Sequence, residues 1–126
     1  SEIQETLIKA AADLISEDTP AYQYVASRLI NYHIRKQVYG SHVPKGLWEH
    51  FHDVVQEGYY DDELLQCYDM SEFMELNRKI VHDRDFDIAY AGMEQFRGKY
   101  LVKNRVTGKL YETPQMAIMS SIRIAP

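Results

Sequence analysis

The sequence predicts a mainly α-helical fold, a bundle of about six helices with one short β-hairpin near residues 100–112. Three observations carry that expectation. Apolar residues recur at three- and four-residue spacing from Ile3 to Phe96. Stop signals fall where those stripes end, at Gly40, Gly58 and Gly98. Alternation of the strand type is confined to Tyr100–Val106, with a Thr107-Gly108 turn and a return over Lys109–Glu112.

The first helix is expected over about 2 to 16, opened by a capping box of Ser1 and Gln4 and carrying Ile3, Leu7, Ile8, Ala11, Leu14 and Ile15. Thr19 and Pro20 are the N-cap and first residue of a second helix reaching Tyr39, where Gly40 provides a left-handed stop. Its buried stripe is expected to be Tyr24, Val25, Leu29 and Tyr32, with the stems of Arg28 and Lys36. The two helices make an antiparallel hairpin.

Leu47, Trp48, Phe51, Val54 and Val55 define a third helix packing by Trp48 and Phe51. A short helix follows around Glu63–Tyr68, and Ser71 caps another carrying Phe73, Met74, Leu76, Ile80 and Val81. From His82 a single helix is expected as far as Gly98. After the hairpin, Thr113 caps and Pro114 starts a last apolar helix. The chain opens on Ser1 instead of methionine and closes on that apolar helix, which predicts a processed or excised piece of something longer.

At 126 residues and 45% hydrophobic, the chain has the size of one domain. Its 14 Lys and Arg are scattered and the net charge is −5, which argues against a nucleic-acid interface. The single cysteine, Cys67, rules out an internal disulfide framework and any cysteine-rich zinc site. No apolar run approaches the roughly 18 residues of a membrane span, so the expectation is a cytoplasmic protein without membrane contact.

His50-Phe51-His52-Asp53 has the residue types of a metal site, but His50 and His52 are two apart and point to different sides of a helix. A solvated face is expected, and no metal. In His82-Asp83-Arg84-Asp85 the acids and the arginine suit a structural lock by charge-assisted hydrogen bonds better than catalysis. Cys67 has no neighbouring base and reads as an inert thiol. There is no P-loop and no GxGxxG, so any phosphate must be held by side chains. Tyr32, His33, Arg35 and Lys36 crowd one turn of the second helix. Two readings stand side by side there: an ordinary cationic helix end, or a groove in which Lys36 and Lys9 hold phosphates while Tyr32 stacks on a base.

Several long runs then match one family in order. They are Glu5-Thr6-Leu7-Ile8-Lys9-Ala10-Ala11-Ala12-Asp13-Leu14-Ile15, Tyr22-Gln23-Tyr24-Val25-Ala26-Ser27-Arg28-Leu29, and Arg35-Lys36-Gln37-Val38-Tyr39-Gly40. Further on come His82-Asp83-Arg84-Asp85, Lys99-Tyr100-Leu101-Val102-Lys103-Asn104-Arg105-Val106-Thr107-Gly108, and Tyr111-Glu112-Thr113-Pro114-Gln115. The chain resembles the large (alpha) subunit of class Ia ribonucleotide reductase over nearly its whole length. Only the tail from Ser120 to Pro126 departs from the pattern.

That resemblance implies two parts. Residues 1–40 would be the C-terminal helices of an ATP-cone, a regulatory domain in which ATP activates and dATP inhibits. Residues 41–126 would begin the N-terminal helical layer of the catalytic subunit. The matching effector contacts are His33 and Lys36, with Tyr32 beside them and Lys9 as a weaker match. Gln4 stands where a histidine is common, and Glu2 where an aspartate is expected. The implied activity of the whole protein is reduction of ribonucleoside diphosphates to deoxyribonucleotides for DNA synthesis. ATP and dATP would be allosteric effectors, with nothing bound covalently. The implied partners are the rest of the large subunit and the small radical-generating subunit. No catalytic residue maps onto this chain, which on its own is expected to be inactive; the other class of reading is a non-catalytic helical interaction module.

Overall fold

The computed structural model describes residues 2–66 and 68–124, with side chains up to residue 119. The expected capping role of Ser1 and the inert thiol of Cys67 lie outside the described residues. The chain is mainly helical: α1 (Glu2–Asp13), α2 (Tyr22–Tyr39), α3 (Leu47–Gln56), α4 (Glu63–Gln66), α5 (Met70–Lys79), α6 (Tyr90–Gln95) and α7 (Pro114–Ile124). A 3-10 turn at His82–Asp87 precedes α6, and a π-helical turn at Phe96–Tyr100 follows it.

The α1–α2 hairpin forms as the spacing predicts, but its details differ. The first helix stops at Asp13, and Thr19 does not cap the second. Its hydroxyl instead donates back to the carbonyl of Leu14 at 2.8 Å, so it ties the turn together. The buried face of α2 is also not the expected one. Ala26, Ser27, Ile30, Asn31 and Ile34 are fully covered, whereas Tyr24, Val25 and Tyr32 are 40–45% exposed. The cause is a third layer. α1 lies on one side of α2 while the 3-10 turn and α6 lie on another, and small Ala26 and Ser27 permit the close approach. Gly40 does provide the stop, at φ 75°, with its N–H donating to the Lys36 carbonyl at 2.9 Å.

Two apolar clusters form, and α7 joins them. Leu47, Phe51, Val54, Tyr60, Leu64, Phe73 and Leu76 close around Met116. Ile8, Ile30, Ile34, Met93, Leu101 and Leu110 close around Ala117. Phe51 is in the core as expected, but Trp48 is 37% exposed and stacks on His52 at the surface. The cap of α5 is Asp69 instead of Ser71: its carboxylate accepts from Glu72 N–H in a capping box.

The helix expected over 82–98 breaks in two places. Ile88 and Ala89 are extended, at ψ 128° and 162°. α2 holds them there, because the Ser27 hydroxyl donates to the Ile88 carbonyl and Arg35 Nη2 donates to the His82 carbonyl at 3.1 Å. Carbonyls captured by another element are lost to a helical ladder. At Gly98 the chain passes through the π turn instead of stopping, and Leu101 N–H reaches back to the Phe96 carbonyl at 3.0 Å.

The expected β-hairpin is a chain reversal without strands. One isolated antiparallel bridge joins Lys103 and Leu110. Backbone bonds from Asn104 N–H to the Lys109 carbonyl and from Tyr111 N–H to the Val102 carbonyl flank it, and the ladder goes no further because Val102 N–H donates to Glu112 Oε1 at 2.9 Å; the outward-facing Leu110 N–H donates to Gln37 Oε1 of α2 at 3.2 Å. The turn itself is tight. Asn104 Oδ1 accepts from Val106 and Thr107 N–H at 2.8 and 3.0 Å, and Gly108 adopts φ 77°. Thr113 caps α7 as expected, its Oγ1 accepting from Met116 N–H at 3.4 Å.

Candidate functional site

The crowded turn of α2 separates into three directions. His33 faces α1 and is only 6% exposed. Its Nδ1 lies 2.8 Å from Gln4 Oε1 and its Nε2 lies 3.1 Å from Gln37 Nε2. A ring that donates through Nδ1 to the Gln4 oxygen and accepts through Nε2 from the Gln37 amide is a neutral imidazole. Burial, which lowers the His33 pKa against the pull of Glu5, favours the same form.

Tyr32 points the other way. Its ring lies 5.2 Å from both His42 and Phe86. Arg35 is 95% covered, with its guanidinium over the Phe86 ring at 4.8 Å and bonded to the carbonyls of His42 and His82. It also pairs with Asp83 at 3.4 Å. The lock expected within 82–85 therefore exists, but its cation is supplied by Arg35 of α2. Lys36, Lys9 and Glu2 are exposed. Of the six residues singled out from the sequence, the fold brings Gln4 and His33 into contact and leaves Tyr32 on a separate face.

His33 forms the floor of an open cleft of about 380 Å³. Its walls are Glu5 of α1, Gln37 of α2, Arg97 of the π turn, and Lys103 and Arg105 of the reversal. Arg97 pairs with Glu5 at 2.8 Å and with Glu94 at 2.7 Å. Lys103 Nζ donates to the Gly98 carbonyl at 3.1 Å. Gln37 bridges from the His33 ring to the Leu110 backbone, so one line of hydrogen bonds runs from α1 through α2 to the reversal. Gln37, Arg97, Lys103 and Arg105 were not visible as site residues in the sequence. The run containing Asn104-Arg105-Val106-Thr107-Gly108 was the one available signal.

His50 is the clearest correction among the other candidates. It is 2% exposed, not solvated, and lies among the rings of Tyr39, Phe51 and Tyr60 at 5.4–6.0 Å spacing between neighbours. Burial drives its pKa down to about 4. The helix turns this side of α3 inward with Phe51 and Val54, while His52 and Asp53 remain at the surface. Asp85, in the 3-10 turn, is fully buried against Gln115 at the start of α7, and burial raises its pKa to about 6 against the opposing effects of Gln115 and Arg35. Among the described residues no group of three or more His, Cys, Asp or Glu is placed to hold a metal. No helix among them is long and apolar enough to cross a membrane.

No family model matches the chain. Over 115 residues it is 51% identical to ribonucleoside-diphosphate reductase 1 subunit alpha of Escherichia coli K12, covering 91% of this chain and 15% of that protein. It is 49% identical over 115 residues to the ribonucleoside-diphosphate reductase subunit alpha of Haemophilus influenzae, again covering 91% of this chain and 15% of that protein. With the subunit alpha of Enterobacteria phage T4 it shares 46% over 119 residues, 94% of this chain and 16% of that protein. The chain thus spans about 15% of the length of the relatives it matches.

Proposed function

We propose that this chain is the regulatory and structural N-terminal segment of a ribonucleoside-diphosphate reductase large subunit. The whole protein would be a cytoplasmic oxidoreductase that reduces ribonucleoside diphosphates to deoxyribonucleotides. The observation that carries this reading is identity near one half across nine tenths of the chain to three reductase alpha subunits. Residues 1–40 are then the last helices of an ATP-cone and residues 41–126 the start of the helical layer that follows. Their partners are the remainder of the large subunit and the small radical-generating subunit.

In this reading ATP and dATP are allosteric effectors bound beside α1 and α2. The contact between Gln4 and His33 at 2.8 Å is in keeping with it, since it joins a position matched to an effector contact to one where the family commonly has a histidine and this chain departs from it. Lys36 and Lys9 are exposed and available for phosphates, and Glu2 stands at the start of α1. Tyr32 fits less well, because its ring packs on His42 and Phe86. The segment contributes no thiol pair, having a single cysteine, so the chain alone has no turnover.

Calorimetric titration of the chain with ATP and dATP tests the effector reading. Saturable binding of both, abolished by Lys36→Ala while the helical circular dichroism signal is kept, is the expected result. No heat from either nucleotide with a folded chain overturns it and leaves a helical interaction module.

A further inference from the structure

Ser27, Asn31 and Arg35 stand at four-residue intervals on α2 and so form one polar row along the helix. Both ends of the row are anchored to the 3-10 turn: the Ser27 hydroxyl donates to the Ile88 carbonyl and Arg35 Nη2 to the His82 carbonyl. The two anchors run antiparallel, which sets Asn31, at the middle of the row, opposite Asp85, at the middle of the turn. Both are fully covered.

Unused polar groups collect at this midpoint. Among the described residues, Asn31 Nδ2 and Oδ1, Arg35 Nε and both carboxyl oxygens of Asp85 are covered and without a hydrogen-bond partner. Gln115 of α7 lies near enough to oppose the rise in the Asp85 pKa, but makes no bond of full geometry with it. Covered polar atoms are costly when unpaired, so small side-chain rotations that pair them are favoured. Two pairings are open to Asp85, and they need opposite protonation states. A neutral carboxyl donates to Asn31 Oδ1 and accepts from Asn31 Nδ2, whereas a carboxylate, having no proton to give, accepts from Arg35 Nε.

We propose that Asp85 is a proton-operated latch across this seam, paired with the Asn31 amide when protonated and with Arg35 Nε when ionised, its proton passing to solvent between the two states. Ionisation gives Arg35 a second carboxylate besides Asp83, which it meets at 3.4 Å, and makes Asp85 compete with the His42 and His82 carbonyls for one guanidinium. The hold of α2 on the turn thus moves from Asn31 to Arg35. The titratable and charged groups around Asp85 are Arg35 and Tyr39 of α2 and His82 and Asp83 of its own turn, with His50 of α3 beyond His82; α7 presents Gln115, which does not titrate. Burial, which raises the Asp85 pKa to about 6, brings the change close to neutral pH. In the proposed division at residue 40, α2 belongs to the regulatory helices and the turn to the layer that follows, so the latch lies across their join; the latch itself does not depend on that division.

NMR of the chain between about pH 4 and pH 8, following the Asp85 carboxyl carbon, the Asn31 side-chain amide and Arg35 Nε–H, tests this. The three signals are expected to move together, with a midpoint above pH 5, Arg35 Nε–H shifting downfield as Asp85 ionises. In Asp85→Asn the steps at Asn31 and Arg35 should vanish while those of the His50 and His82 rings persist. Asn31→Ala should lower the Asp85 midpoint by roughly half to one pH unit, because only the neutral form loses a partner. An Asp85 carboxyl that titrates like a surface carboxylate, near pH 4, overturns the inference. So do Asn31 and Arg35 signals that move in Asp85→Asn as they do in the parent.

Discussion

Replacing Glu112 by alanine should loosen the cleft wall and cost the fold several kcal/mol. Glu112 is 3% exposed, and its carboxylate accepts from the Tyr60 hydroxyl and from Val102 N–H at 2.9 Å. It thereby ties the neck of the reversal bearing Lys103 and Arg105 to the α3–α5 cluster containing Tyr60. The alanine variant removes the acceptor of two covered donors, at about 1–3 kcal/mol each. The total is about 4 kcal/mol, and for a chain of this size each kcal/mol lowers the melting temperature by roughly 4 °C. A fall of about 15 °C by differential scanning calorimetry is therefore expected. Glu112→Gln, which keeps one acceptor, should lose about half as much. A double-mutant cycle with Tyr60→Phe should show coupling above about 1 kcal/mol. A melting temperature for Glu112→Ala within about 3 °C of the parent would refute the claim that this carboxylate organises the reversal.

Acid stability carries two opposed contributions. His50 has its folded pKa near 4, below its ordinary 6.5, so the unfolded chain takes up a proton that the fold refuses; this contribution is full above pH 6.5 and is lost as pH falls toward 4. His33 and His82, both lowered first by burial, act in the same direction. Asp85, raised from 3.8 to about 6, acts in reverse, and its contribution is lost as pH rises through 6. Urea unfolding between pH 4 and pH 8 should therefore give a steeper acid loss in Asp85→Asn and a shallower one in His50→Leu; equal slopes in all three proteins contradict the burial argument. Gln37→Leu should cost about 1–3 kcal/mol by leaving the Leu110 amide without its acceptor, and should speed amide exchange at Leu110. Gly40→Ala should cost about 1 kcal/mol, since φ 75° strains any residue with a Cβ, and is checked by thermal unfolding.

Helical periodicity reveals that a segment buries one face, and it located α1, α2, α3, α5 and α7 within a few residues. It does not reveal how many neighbours a helix has. α2 is covered on more than one side, so its buried set includes Ser27, Asn31, His33 and Arg35, which a single-stripe reading assigns to water. His50 was misplaced for the same reason, because polarity suggested the surface while the aromatic neighbours that enclose it come from α2 and from the loop after α3. The reversal over 101–112 was found by its turn residues, but its lack of strands depends on the Glu112 side chain turning back to capture the Val102 amide, and its docking on Gln37 capturing the Leu110 amide from α2. Local sequence contains no trace of such a capture. The cleft follows the same rule. His33 was singled out through a family pattern, whereas Arg97 of the π turn and Lys103 and Arg105 of the reversal line the cleft beside it only once those segments fold against α2.

The most direct test of the account is a dATP titration of the chain followed by two-dimensional NMR of its amides and histidine rings. Saturable shifts at the His33 ring, the Gln37 side-chain amide and the Leu110 amide, with the Trp48 indole unmoved, are predicted. A spectrum unchanged at millimolar dATP, or shifts centred on Trp48 instead, would contradict the claim that α1 and α2 carry an effector site.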